Sequence, residues 1–204
     1  MTSSRNNAAS RTEEDTLLDA ARAVILAVGL RRTTLTDVAR RAGVSRMTIY
    51  RRWPDMTALV ADLMTREWGA ITRAALAAAE AGSAEPVGGT ARQPLVAAFV
   101  AAAGTLRHHP VFRRIVELDP EILLPYLVDR RGRSQDQMLE MLTAAIGHGT
   151  ADGSIRPGDP GLLARGMLLT AQGFVLSAQT MTDGYDETDL DGQLHLLLDR
   201  YLAP

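Results

Sequence analysis

Apolar residues recur along most of this chain at three- and four-residue steps, the period of a helix buried on one side. No run alternates with the two-residue period of a half-buried strand. Between Thr12 and Val28 the apolar positions are Leu17, Ala20, Ala21, Val24, Ile25 and Val28; Glu13, Glu14 and Asp15 suit the positive end of that helix, and Gly29 stops it. A second helix begins after Thr34, three residues before Asp37 in a capping-box arrangement, turns Leu35, Val38, Ala39 and Ala42 inward, and ends at Gly43. Ser45 caps a third helix, Val44 can staple onto Ile49, Pro54 closes it, and Asp55 can cap a fourth, running over 56–81 with Leu59, Leu63, Trp68, Ile71 and Leu76. A Gly/Pro-rich connection over 82–94 precedes helices expected at 94–108, 110–118, 120–129, 133–149, 159–182 and 187–202. The fold class is therefore all-α: a three-helix helix-turn-helix head over 12–56 and a larger C-terminal helical bundle over 57–204.

Charge sharpens this division. The 204 residues carry a net charge of −2, yet residues 1–60 hold 10 Arg against 6 Asp/Glu, and residues 61–204 hold 12 Arg against 18 Asp/Glu. Seven arginines and one acid, Asp37, fall between Arg31 and Arg52. Arginine replaces lysine throughout, which explains the residue type but not its concentration in one short segment. A basic head on an acidic body suits a polyanion contacted at one end.

At 100° per residue Ile49 and Trp53 share one face of the third helix and point to the head's core. Met47, Thr48 and Arg51 lie opposite, flanked by Arg46, Tyr50 and Arg52. Such a helix fits the major groove of DNA: an arginine can pair with guanine O6 and N7, a Met or Thr methyl can touch a thymine methyl, and flanking groups can hold phosphates. An isolated basic helix would more simply be a solvated surface. Two capped helices across a glycine turn, with a scaffold helix before them, favour the helix-turn-helix.

The segment from Thr34 to Leu59, TLTDVARRAGVSRMTIYRRWPDMTAL, resembles the DNA-binding signature of the TetR family of transcriptional regulators. The matching elements are the Thr-capped helix with Val-Ala, then Ala-Gly-Val-Ser, Thr-Ile-Tyr, an aromatic before a turn, and Leu in the fourth helix. The resemblance implies that Arg46, Met47, Thr48, Tyr50 and Arg51 face bases or their flanking sugars and phosphates. It puts Arg52 on the DNA backbone, Thr34 near a phosphate, Thr36 at the groove edge, and Ser45 at the start of the recognition helix. Two positions depart from the pattern. Met47 stands where a small residue is common, and Met56 stands where a phosphate-binding lysine is usual, leaving Arg31 or Arg32 to compensate.

The family uses its C-terminal helices for dimerisation and for a ligand cavity, and this chain offers residues for both. Gly166, Thr170, Gly173 and Ser177 form a stripe of small residues, and Leu190, Leu194, Leu197 and Tyr201 an apolar one. Two such helices from each of two subunits would make a four-helix interface, although packing within one chain would equally use the leucines. One short recognition helix makes few contacts, so a homodimer on half-sites roughly 34–36 Å apart is expected. Trp68, Phe99, Phe112, Tyr126, Met138, Met141, Met167, Gln172 and Phe174 could line a cavity; for each alone, ordinary core is the simpler role. The family implies a small hydrophobic effector.

Other chemistries fit poorly. Cysteine is absent, His108, His109, His148 and His195 lack metal-ligand spacing, and no phosphate-cradling glycine loop or nucleophile motif occurs, so neither enzyme, cofactor nor metal is expected. His108 and His109 read as a helix end meeting exposed carbonyls. The polar N-terminus and the short longest apolar run, Leu95 to Ala103, point to a cytoplasmic protein away from membranes. The expected function is a repressor that binds a palindromic operator on double-stranded DNA and is released by its effector. The alternatives are a DNA-organising protein without effector, and a helical adaptor whose basic head binds an acidic protein partner.

Overall fold

A computed structural model describes residues 3–82 and 90–204; the middle of the connection expected over 82–94 lies outside them. All regular structure among the described residues is helical: α1 (Ser3–Val28), α2 (Leu35–Ala42), α3 (Arg46–Arg52), α4 (Met56–Gly82), α5 (Arg92–Arg107), α6 (Pro110–Leu118), α7 (Leu124–Val128), α8 (Arg133–Ala151), α9 (Pro160–Ser177) and α10 (Glu187–Leu202). Two departures from the expected boundaries have local causes. The helix expected over 120–129 becomes a 3₁₀ turn over Pro120–Ile122 followed by α7, because Pro120 and Pro125 supply no N–H to one continuous ladder. The last turn expected in 159–182 tightens into a 3₁₀ segment, Ala178–Met181.

The chain forms two compact units, residues 1–67 with 109–132, and residues 68–108 with 133–204. In the first unit α1, α2, α3, the start of α4 and α6 enclose Leu17, Ala21, Ile25, Val38, Ile49, Trp53, Leu59, Leu63, Val111 and Ile115. The head expected over 12–56 lies inside this unit, which also takes in 57–67 and 109–132. In the second unit α5, α8, α9 and α10 pack around Val96, Leu142, Ile146, Met167, Leu194, Leu198 and Leu202, while α4 meets α5 through Ala75, Ala98 and Ala102. Arg107, buried at the end of α5, joins it to α10 by ion pairs to Glu187 at 2.9 Å and Asp191 at 2.6 Å. Burial alone would lower the Arg107 pKa, but these carboxylates raise it above the usual arginine value.

The stretch Pro160–Met181, with mean hydropathy 1.3, is long and apolar enough to cross a membrane by length and composition. Counting only uninterrupted apolar residues misses it, because Arg165 and Gln172 break the run. Its inner face, Leu163, Ala164, Met167 and Ala171, is buried in the second unit, whereas Leu162 and Leu169 are 66% and 68% exposed.

Candidate nucleic-acid interface

Local side-chain chemistry sets the geometry of α2 and α3. The Thr34 hydroxyl accepts from the Asp37 N–H at 3.2 Å, and the Asp37 carboxylate accepts from the Thr34 N–H at 3.2 Å and from its hydroxyl at 2.6 Å. The hydroxyl bond is the main reason that the Asp37 pKa lies below the ordinary carboxylate value. At the other end of α2, Gly43 takes φ 70° and ψ 24°, and its N–H bonds back to the carbonyls of Ala39 and Arg40. The left-handed residue reverses the chain in the space of Gly43 and Val44. Ser45 then accepts the Thr48 N–H at 3.1 Å and starts α3.

The inward face of α3 is completely closed. Ile49 is 0% exposed and Trp53 2%, and the Trp53 indole N–H donates to the Asp62 carboxylate of α4 at 2.7 Å. Outward, Met47 is 78% exposed and Tyr50 49%, and Arg46 and Arg51 are exposed, with no ion pair or hydrogen bond from their side chains among the described residues. Thr48 is half-buried, with its hydroxyl 2.9 Å from that of Ser45. Thr34 is exposed and Thr36 half-buried at the start of α2.

Most other arginines of the head are already engaged. Arg40 pairs with Asp37, Arg31 with Glu121, and Arg52 with Glu14, while the Arg32 Nε–H donates to the Val28 carbonyl at 2.7 Å. Neither Arg31 nor Arg32 is therefore idle. Met56 packs partly buried against the head's core, which explains an apolar residue there.

One long-range contact positions the start of the head. Asp119, 4% exposed, accepts the Leu30 N–H at 2.8 Å and the Arg31 N–H at 3.4 Å, clamping the α1–α2 turn to the end of α6. Gly29, at φ 86°, permits this approach, since a Cβ there would lie 3.1 Å from Leu118 and 3.3 Å from Asp119. The Asp119-Pro120 pair marks a helix end in sequence, but nothing local identifies an acid whose partners lie about ninety residues away.

The two histidines meet carboxylates. His108 Nε2 lies 2.7 Å from Glu187, and His109 Nε2 lies 3.0 Å from Glu67, which also pairs with Arg22 at 3.3 Å and Arg66 at 2.9 Å. Burial is the largest influence on His109 and, despite Glu67, its pKa falls below the ordinary histidine value, with Arg22 acting in the same sense.

The body residues separate. Phe99 and Met167 are buried, and Met138 and Phe174 partly buried, in one cluster; Trp68 and Gln172 are half-buried in the same unit, and Met141 is 42% exposed on α8. Phe112 and Tyr126 belong to the first unit, where Arg130 lies over the Tyr126 ring at 5.3 Å. In α9 and α10, Gly166 gives room to the Tyr201 phenol, the Thr170 hydroxyl donates to the Gly166 carbonyl, and Leu194 is fully buried with Leu198 and Leu202. These residues serve packing within the chain. Gly173, Ser177 and Leu197 are exposed, and Leu190 is half-buried.

The model of the N-terminal region of "bacterial regulatory proteins, tetR family" matches residues 17–63. A helix-turn-helix-type transcriptional regulator of Mycobacterium bovis, itself uncharacterized, is 34% identical over 187 residues, covering 92% of this chain and 93% of that protein. Among solved structures, the transcriptional repressor QsdR of R. erythropolis, from the TetR family, superposes with a TM-score of 0.65 at 15% identity, over 95% of this chain and 97% of its own. FadR from Bacillus subtilis, solved in complex with stearoyl-CoA, gives 0.62 at 18% identity, over 92% and 98%. The helix-turn-helix geometry, the family match and the near full-length relative agree: this chain is a transcriptional regulator of the TetR family.

Proposed function

We propose that the chain is a homodimeric repressor that acts in the cytoplasm, binds an inverted-repeat operator through residues 34–53, and is released by a hydrophobic small molecule. The observation that carries the reading is the outward face of α3. Arg46 and Arg51 stand exposed there beside Met47 and Tyr50 and are unpaired among the described residues, while Arg31, Arg32, Arg40 and Arg52 are bonded within the head. Free guanidinium groups beside apolar contact atoms suit base edges and thymine methyls. In this reading Thr34 and Ser45 present hydroxyls and helix-start N–H groups to phosphates, and Thr36 lies at the groove edge.

Dimerisation is supported by the outer face of α9 and α10. Leu162, Leu169 and Leu197 leave apolar surface uncovered next to the flat positions Gly173 and Ser177. The effector reading rests on the aromatic and methionine cluster around Phe99, Met138, Met167 and Phe174, and on relatives of this fold solved with stearoyl-CoA and with triclosan. A ligand that binds one separation of the two heads better than another would shift operator affinity.

The test is selection of genomic DNA fragments by the purified protein at physiological salt, with sequencing of the retained pool. Recovery of a short inverted repeat near promoters is expected. Retention without a common motif would instead favour a DNA-organising role, and failure to retain DNA would favour an adaptor.

A further inference from the structure

The structure engages one of the arginines that the family pattern assigns to the DNA backbone. The Arg52 guanidinium, at the last residue of α3, pairs with the Glu14 carboxylate of α1, each side chain being about one-third exposed (32% and 31%), and lies 5.5 Å from the centre of the Trp53 ring. On the other side of the same turn, the Trp53 indole N–H is bonded to Asp62 of α4. The C-terminal end of the recognition helix is thus tied to α1 through Arg52 and to α4 through Trp53. Its N-terminal end is held by the cap of Ser45, the glycine turn and the packing of Val44 against the core.

We propose that Arg52 is a positioning residue: with Glu14 it forms a strut that sets the orientation of α3, and it acts on base selection through that orientation without touching a phosphate. Arg46 and Arg51, which have no such tie, are left to make the contacts. The strut gives a role to one of the acids in the middle of α1, on the flank of the basic α2 and α3. A carboxylate at that place would oppose DNA if it were bare, but with Arg52 it is neutralised. This inference rests on the DNA-binding reading above.

The test compares wild type, Arg52→Ala, Glu14→Gln and the charge-swapped double variant Glu14→Arg/Arg52→Glu, on the fragment that wild type selects and on random DNA, over a range of salt. A strut predicts that Arg52→Ala and Glu14→Gln each lower discrimination between the two DNAs by about fivefold. It predicts an unchanged salt slope, and recovery of discrimination in the charge swap. A phosphate contact predicts the reverse: the salt slope of Arg52→Ala falls by about one, Glu14→Gln binds more tightly because Arg52 is freed, and the charge swap binds worst of all. Any of these three results overturns the strut. Selection of no motif by wild type would fail the DNA-binding reading instead. The strut would then stand or fall on whether Glu14→Gln and Arg52→Ala shift the head's melting temperature non-additively.

Discussion

The helix-turn-helix and the α9–α10 pair are both helical hairpins, yet they differ in what fixes them. In α2 and at the start of α3 the ends are set by groups within four residues: Thr34 with Asp37, the Gly43 N–H with the Ala39 and Arg40 carbonyls, Ser45 with Thr48. The pair α9 and α10 also start at local caps, Asp159 and Asp186, but the contacts that join them come from far along the chain, such as Tyr201 over Gly166 and, for α10, Arg107 on Glu187 and Asp191. The first kind of order is local and specifies a surface. The second kind arises from packing, and it leaves a long apolar helix with two faces that sequence alone does not rank.

Substitutions can break each side of this contrast. The largest effect is expected from Trp53→Ala, which empties a fully buried site and removes the indole donor to Asp62, at a cost of about 3–5 kcal/mol to the first unit. Amide hydrogen exchange should then be fast in α2 and α3 and unchanged in α9 and α10; protection retained in α3 would contradict the inward-face assignment. Arg107→Ala is the counterpart in the body. It leaves Glu187 and Asp191 without their shared cation and should cost about 3 kcal/mol, at the low end for a buried pair because both acids keep some solvent. Urea unfolding followed at α5 and α10 checks this, and a loss below 1 kcal/mol would mean that solvent already carries those charges.

Next comes Asp119→Ala. Removing the acceptor of the buried Leu30 N–H should destabilise the first unit by about 2 kcal/mol, and the Leu30 amide should lose its protection first. Unaltered exchange at Leu30 would show that the clamp holds nothing.

The smallest effect concerns pH. The native state holds His109 neutral below the ordinary histidine value of 6.5, because burial and Arg22 outweigh Glu67. As pH falls through 6.5 the unfolded chain takes up a proton before the native one does, so stability declines with acidification until the native imidazole is protonated as well. His109→Gln should flatten that decline in thermal unfolding; an equal slope in both proteins would place the pH dependence elsewhere.

The same contrast explains what the sequence made legible. Ile49 and Trp53 were assigned inward from a 100° rotation per residue, and the capping residues from their spacing, because those features are periodic or local. Asp119 was not legible, since its N–H partners are on the α1–α2 turn. In α10 the stripe divides: Leu194, Leu198 and Leu202 are buried within the chain while Leu197 faces out, a split that sequence does not rank because several registers fit a leucine-rich helix equally well. Met56 stands where the family pattern has a phosphate-binding lysine, and its packing against the core is a role that the sequence does not display.

The central claim is that the outward face of α3 reads bases, and Arg51 tests it most directly. Wild type and Arg51→Ala would be put through the same selection from genomic DNA, with affinities measured on the recovered site. The account predicts an inverted repeat for wild type. It predicts relaxed preference at one base pair in each half-site for the variant, with a loss of about 1–3 kcal/mol on the recovered site and little change on random DNA. An identical motif and affinity for the two proteins, or equal losses on specific and random DNA, would contradict it.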